Sequence, residues 1–268
     1  KLVTAPPLIG TFVRFGISSP LLIVVLAARR RVLSRKVFIA TALPGLSFGI
    51  NLVFVFATLQ EATVSVLSTV VAMQPALLLV LAGPLFHEYP TGRQFTFTLA
   101  GVLGAVGVIL GAGSEIRSSW LGVGLAALSL VTFTLYFVLT RLARSDNEVD
   151  PIEWMAGINI WAFLSTIIPI LLLADRSDWA QFGGNDWLWI AIVAFVTGVF
   201  GHVLMTWLHG HLEAARSSLY ILTMHLVAVG LAWWIHDESI TWLQMISGGV
   251  VLLCVALVVT APDRREVR

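Results

Sequence analysis

The stretch VVAMQPALLLVLAGPLFHEYP, residues 70–90, decides how the rest of the chain is interpreted. Residues 70–86 carry no formal charge, yet Gln74 and Pro75 interrupt the apolar run near its start, and His87 follows its end. The hydrocarbon core of a bilayer is about 30 Å thick and is crossed by about 20 apolar residues in a helix. The run therefore predicts a membrane-spanning helix that contains a polar amide and a helix breaker.

The composition of the whole chain favours a bilayer over water as its solvent. Of 268 residues, 58% are hydrophobic and 12% are charged, and the mean hydropathy is +0.92. Soluble domains carry about 25% charged residues, and one or two soluble cores could not bury so much apolar surface. The formal net charge of +1, without a basic arm, argues against nucleic acid as a partner. The single cysteine, Cys254, implies neither a disulfide framework nor a cysteine metal cage.

Apolar runs of membrane length recur along the chain and predict an all-α membrane protein. We expect nine spans, at residues 7–28, 37–59, 62–86, 94–113, 119–140, 151–174, 187–208, 214–236 and 240–261. The runs are too long for strands and do not alternate with period two. Because the chain begins with Lys1 and shows no signal peptide pattern, we expect residue 1 to be an interior point of a longer protein.

The distribution of Lys and Arg predicts how these spans are oriented, because cytoplasmic loops carry an excess of both. If the first span ends in the cytoplasm, twelve of the sixteen basic residues lie on that side, three lie outside, and Arg14 is within a span. We therefore expect the C-terminus to be cytoplasmic and the protein to be a multi-pass protein of the inner (plasma) membrane. The cytoplasmic set is Arg29, Arg30, Arg31, Arg35, Lys36, Arg93, Arg141, Arg144, Arg216, Arg264, Arg265 and Arg268.

The two halves of the chain resemble each other weakly. When the chain is shifted by 152 residues, six of nineteen positions in residues 49–67 and 201–219 are identical, Glu61 and Glu213 among them. The topology places Glu61 outside and Glu213 inside, so the copies would face opposite ways, as in the inverted repeats of secondary transporters. We expect a first repeat at residues 1–113, lacking its first helix, and a second, inverted repeat at residues 114–268.

The order and spacing of several loose motifs carry a family resemblance. They are PLIGTFVRF from Pro7, ATLQEATVSVLSTVVAMQP ending at Pro75, GVLGAVGVIL, FTLYFVLTR from Phe133, and HLEAARSSLY. The chain resembles the drug/metabolite transporter superfamily in its ten-helix EamA-type branch, which includes an aromatic amino acid exporter. The resemblance implies ten helices, cytoplasmic termini and export of small metabolites. Two departures are the absent first helix and His225, which stands where the family usually has proline.

Several residues of the predicted spans have both a structural and a functional interpretation. Gln74 could pair a carbonyl freed by the Pro75 kink, or it could face a water-filled cavity. Glu88 and Glu238 precede Thr91 and Thr241, which are typical of helix starts, so a structural role competes with proton coupling.

Arg14 is the charged residue inside a span, which is costly and by default a functional hypothesis. It could bind a substrate carboxylate or hydrogen-bond to carbonyls of neighbouring helices. His202 could line a cavity or bond between helices, and His225 could relay protons. The histidines lack the further ligands that a metal site needs, so we expect no metal.

Other polar or amphipathic residues within spans could join helices or line the path of a zwitterion or an aromatic ring. These candidates are Asn51, Tyr136, Asn159, Trp161 and Trp207. Together with the family resemblance, which implies export, the sequence predicts an exporter of small metabolites, amino acids included, that works by alternating access without a cofactor or an ATP-binding loop. Facilitated diffusion and proton exchange both remain open.

The expected partners of the protein are a small solute and the lipid bilayer, and its expected state is a monomer. A membrane-embedded enzyme acting on a lipid-soluble substrate is the alternative, although the chain lacks HExxH and Gly-x-Ser-x-Gly motifs.

Overall fold

The computed structural model describes residues 6–87, 91–111, 119–144, 149–212, 222–223, 226–227, 230, 233–234 and 240–259. These residues are helical apart from short connections, and no strand occurs among them. The helices are α1 Pro7–Ala28, α2 Arg35–Ala40, α3 Ala42–Glu61, α4 Val64–Val71, α5 Gln74–Phe86, α6 Gly92–Gly111, α7 Trp120–Arg144, α8 Pro151–Leu173, α9 Arg176–Gln181, α10 Asp186–Val193, a π-helical stretch Ala194–Gly201, α11 His202–His211 and α12 Trp242–Val259.

Seven helices of the described part are long and apolar enough to cross a membrane. They are Leu8–Ala28, Ala42–Glu61, Val66–Phe86, Gly92–Gly111, Trp120–Ala143, Pro151–Leu173 and Asp186–Leu208, and Trp242–Leu257 is a shorter apolar helix. The chain is an all-α membrane protein, as its hydropathy predicts. The predicted span 214–236 lies mostly outside the described residues, so the count of nine stays a prediction.

Two predicted spans differ in detail from the observed helices. The predicted span 37–59 is divided at Thr41 into the short helix α2 and the membrane-length helix α3. The predicted span 62–86 is interrupted at residues 72–73, between α4 and α5. Pro75 lies in the first turn of α5. A backbone N–H at this position would have no acceptor within the helix, so proline removes no helical hydrogen bond. The break is therefore a helix end followed by a new start, and not the mid-helix kink that the sequence predicts.

The chain forms two compact units, each built from two separate segments. Unit 1 is Lys1–Ala57 with Val131–His211, and unit 2 is Thr58–Leu130 with Leu212–Arg268. These units are defined by packing, whereas the predicted repeats are defined by sequence similarity. The predicted repeat boundary at residues 113/114 therefore remains a prediction.

Small residues allow the helices of unit 1 to approach closely. Gly45 and Gly49 of α3 lie four residues apart, as in the small-xxx-small pattern of membrane helices. A Cβ atom added at Gly49 would lie 2.7 Å from the Ala162 carbonyl oxygen of α8, and one at Gly45 would lie 2.9 Å from the Ile158 carbonyl oxygen. Because these contacts are with backbone, α3 and α8 fit together only without side chains at both positions.

Unit 2 contains two helices that begin in the same way. Thr91 N–H donates to Gln94 Oε1 (2.8 Å) at the start of α6, and Thr241 N–H donates to Gln244 Oε1 (2.8 Å) at the start of α12. In return, each glutamine N–H donates to the threonine Oγ1, at 3.1 and 3.3 Å. These reciprocal pairs are capping boxes. They confirm that Thr91 and Thr241 start helices.

The two helices α6 and α12 pack side by side in opposite directions. Thr241 Oγ1, at the start of α12, donates to the Gly111 carbonyl at the end of α6 (2.9 Å). Arg93 Nη2, at the start of α6, donates to the Leu257 carbonyl near the end of α12 (3.3 Å). Antiparallel packing is what an inverted repeat requires of two matching helices.

We predict opposite effects for the same substitution at two glycines. Gly49→Ala should lower the free energy of unfolding by about 1–3 kcal/mol, because its methyl group meets the α8 backbone. Gly124→Ala in α7 meets nothing within 4 Å, and it should stabilise the protein by up to about 1 kcal/mol through helix propensity. Thermal unfolding in detergent measures both, and equal shifts for the two variants would contradict the close approach of α3 and α8.

Candidate solute-binding site

Unit 1 contains a buried group of polar and aromatic side chains, here called the Arg14 cluster. Its members come from α1, α3, α7, α8 and α11 and are Arg14, Ser18, Phe48, Tyr136, Asn159 and His202. The Phe48 ring stacks on Tyr136 with centroids 4.7 Å apart and meets His202 edge-on at 4.8 Å. The rings of Tyr136 and His202 are 6.4 Å apart. The structure thus brings together four residues that the sequence singles out, namely Arg14, Tyr136, Asn159 and His202.

A chain of hydrogen bonds joins α1 to α8 within the cluster. Ser18 Oγ donates to Asn159 Oδ1 at 2.6 Å, and Asn159 Nδ2 donates to the Met155 carbonyl at 2.9 Å. Tyr136 Oη lies 3.8 Å from Met155 Sδ. Ser18 and Asn159 are both buried, so each satisfies a polar group that would otherwise be costly in the membrane.

Arg14 differs from its neighbours because its charge forms no ion pair within the described part of the chain. Its Nε is buried and has no hydrogen-bond partner among the described residues. The guanidinium interacts electrostatically with Tyr136 and His202, and its Cζ lies 5.8 Å from the centroid of the Phe15 ring. Neither neighbour supplies a negative counter-charge. A cation at membrane depth without an anion is expensive, so Arg14 is a place where an anionic solute group gains binding energy.

The π-helical stretch Ala194–Gly201 lies against α1 beside this arginine. A Cβ atom at Gly198 would lie 3.4 Å from Arg14 Nε and 3.7 Å from Ser18 Cβ, which is ordinary van der Waals contact, so this glycine directly adjoins both side chains. His202 follows the stretch directly. Such segments are rare and are often found at functional sites. The sequence analysis missed Gly198, and the glycines at 198 and 201 are the signal that could have indicated it.

Two predicted tryptophans have other surroundings in the structure. Trp161 Nε1 donates to the Phe38 carbonyl at 2.8 Å, and its ring stacks on Phe38 with centroids 5.0 Å apart, which fastens α2 to α8. Trp207 is 44% exposed, and its ring stacks on His211 at 4.1 Å. Both contacts favour a structural role for these residues over a place in the Arg14 cluster.

Gln74 is another buried polar residue without a hydrogen-bond partner in the described part of the chain, and it lies in unit 2. It is fully buried at the start of α5, and neither its Oε1 nor its Nε2 has a hydrogen-bond partner among the described residues. Of the two alternatives for Gln74, the pairing with a freed carbonyl is not found among the described residues. Pro75, next to it, is buried in the same first turn.

The remaining predicted residues are placed as follows. Asn51 of α3 is buried and takes part in an interaction of its side chain or backbone. Glu88, His225 and Glu238 lie outside the described residues. Within the described ranges, no group of three or more His, Cys, Asp or Glu side chains could hold a metal ion.

We predict that Ser18 and Asn159 are energetically coupled. Ser18→Ala and Asn159→Leu should each lower the unfolding free energy by about 1–3 kcal/mol. The first leaves Asn159 Oδ1 without its donor, and the second leaves Ser18 Oγ without its acceptor. The double variant should show a coupling of about 0.5–3 kcal/mol in a double-mutant cycle measured by denaturation in detergent. Strictly additive losses would show that the 2.6 Å hydrogen bond does not contribute.

The fold and the cluster define a class: a multi-pass membrane protein whose apolar helices enclose a charged, aromatic-lined group. The chain belongs to the EamA-like transporter family, whose profile matches residues 1–110 and 120–260.

Two individual relatives are more weakly similar, and one of them is a transporter. An uncharacterized transporter of Synechocystis sp. is 26% identical over 216 residues, which are 77% of this chain and 63% of that protein. The haem-binding subunit MsrQ of a protein-methionine-sulfoxide reductase from Ralstonia nicotianae is 28% identical over 120 residues, which are 40% of this chain and 54% of that protein. The matches span less than two thirds of either relative.

A solved crystal structure shares the fold. It superposes with a TM-score of 0.80 at 16% sequence identity, and the match covers 96% of this chain and 88% of the other. At this identity the likeness concerns the fold alone.

Proposed function

We propose that this EamA-family transporter exports small metabolites that bear a carboxylate, amino acids among them. The observation that carries the proposal is the buried Arg14 Nε, which has no hydrogen-bond partner among the described residues and lies beside aromatic rings in a membrane-length helix. A guanidinium binds carboxylates through charge-assisted hydrogen bonds. The faces of Phe48 and Tyr136 offer apolar surface to a solute side chain.

The proposed cycle is alternating access, in which the two repeats move about a central solute site. Phe48 and Tyr136 are buried and in contact in the described conformation, so a solute would enter this cluster only when the packing opens. The excess of Lys and Arg in alternate loops supports an inner-membrane protein with a cytoplasmic C-terminus. Under this proposal Arg14 binds the solute, while Ser18 and Asn159 hold α1 against α8.

The substrate class is tested first by a resistance screen. Cells that overexpress the full-length protein are challenged with toxic amino acid analogues and with the corresponding amines, which lack the carboxylate. Tolerance of the acids without tolerance of the amines supports the proposal. Tolerance of both sets, or of neither, contradicts the proposed role of the carboxylate.

The role of Arg14 is then tested in proteoliposomes with an amino acid that passes the screen. Arg14→Gln should weaken the apparent affinity about tenfold or more, because one charge-assisted hydrogen bond contributes about 1.5–3 kcal/mol. Arg14→Lys should retain part of the affinity, since it keeps the charge. Flux measured with and without a proton gradient separates proton exchange from facilitated diffusion.

A control variant separates binding from folding in this experiment. Trp161→Phe removes the hydrogen bond to Phe38, so it should lower thermal stability and leave the apparent affinity unchanged. An Arg14→Gln protein that folds normally and transports with unaltered affinity would contradict the proposed site. A preparation that moves no solute but converts a lipid would favour the membrane-enzyme alternative.

A further inference from the structure

The connection between α1 and α2 concentrates positive charge at one end of unit 1. Five basic side chains lie within eight residues and are all exposed. We call them the basic corner: Arg29, Arg30, Arg31, Arg35 and Lys36.

The basic corner is held in a defined shape by the start of α8. Arg31 Nη1 donates to Asp150 Oδ2 at 2.9 Å. The backbone N–H and the Oγ of Ser34 both donate to Glu153 Oε1, at 2.9 and 2.7 Å. Arg30, with φ of 55°, reverses the chain after α1, and Arg31 N–H donates back to the Leu26 carbonyl at 2.9 Å. The cations are therefore presented by an ordered connection.

The place of the basic corner in the fold puts it at the membrane surface. The span Leu8–Ala28 ends immediately before it, so residues 29–36 lie at the depth of the lipid headgroups. Two apolar side chains beside the cations are exposed, Val32 at 81% and Ile39 at 58%. Exposed apolar side chains next to cations suit the boundary between headgroups and acyl chains.

Most of the charge in the basic corner forms no ion pair with the described residues. Arg31 is paired with Asp150, whereas Arg29, Arg30, Arg35 and Lys36 form no ion pair within the described part of the chain. The acids that face the corner from α8 are already bonded, Asp150 to Arg31 and Glu153 to Ser34.

We propose that the basic corner binds the headgroup of an anionic phospholipid from the surrounding leaflet. Its phosphate contacts the unpaired arginines and Lys36, while its acyl chains lie along Val32 and Ile39. A free anion would satisfy the charges alone, whereas a lipid satisfies the charges with its headgroup and covers both apolar side chains with its acyl chains, so the lipid is the better fit. This inference rests on the membrane fold and is independent of the transported solute.

Native mass spectrometry of the full chain in neutral detergent tests the proposal. With equal amounts of phosphatidylglycerol and phosphatidylcholine, bound phosphatidylglycerol should predominate. Two double variants each remove two charges: Arg29→Gln with Arg30→Asn, where asparagine tolerates the left-handed backbone, and Arg35→Gln with Lys36→Gln. Each should reduce the preference about fivefold per charge removed, from the attraction of one basic residue to an anionic membrane surface.

The matched control removes two exposed arginines elsewhere, Arg93→Gln with Arg176→Gln, and should keep the preference. Loss of the preference in the control, or its survival in both corner variants, would overturn the proposal. So would full displacement of phosphatidylglycerol by inorganic phosphate at the same concentration, which would indicate a site for free anions.

Wild-type protein and a charge-retaining variant keep the test decisive if a neutral variant fails to fold. Arg29→Lys with Arg30→Lys should keep the preference, and the wild-type preference should decline as salt concentration rises. A preference that salt does not change, or that the lysine variant loses, would show that charge does not hold the lipid.

Discussion

The bilayer requires that every polar group within its hydrocarbon core find a partner inside the protein, and this constraint shapes the described helices. Where the helices of residues 64–86 are interrupted, Pro75 lies in the first turn of the new helix, so its lack of an N–H costs no helical hydrogen bond. Ser18 and Asn159 meet across two helices in a 2.6 Å hydrogen bond. Arg14 Nε and both polar side-chain atoms of Gln74 are buried without a hydrogen-bond partner among the described residues. The cost of a cation at this depth is the physical reason to connect Arg14 with a solute.

Close backbone approach is the second condition for this fold, because lipid gives helices little hydrophobic reason to associate. Gly49 brings α3 against the α8 backbone. In unit 2, Gly104 and Gly107 bring α6 against α12, where a Cβ atom at Gly104 would lie 3.1 Å from the Ser247 carbonyl oxygen. These two helices share a Thr-x-x-Gln capping box and run antiparallel, so similar local sequences start helices of opposite direction within one packed pair.

The membrane class and most of the helices could be predicted from the sequence, because hydropathy and length depend on composition over about 20 residues. The close contacts of α6 could also be anticipated from its glycine spacing. The site could be predicted only in part. Ser18 pairs with Asn159 across 141 positions of the chain, and such a pairing has no local signal. The π-helical stretch has the same apolar composition as an α-helix, so its sequence does not distinguish the two. The sequence around Trp161 is compatible with a cavity position, and only the structure shows its hydrogen bond to the Phe38 carbonyl.

Cysteine accessibility at the centre of the Arg14 cluster tests most directly whether this buried group lies on the transport path. In a Cys254→Ser background, Ser18→Cys is compared with Leu22→Cys, since both positions on α1 are fully buried. In proteoliposomes, the account predicts that a small membrane-impermeant thiol reagent labels position 18, that the transported solute slows this labelling, and that position 22 stays protected. Protection of both positions until the protein is denatured would contradict it, because the cluster would then be solid core in every state.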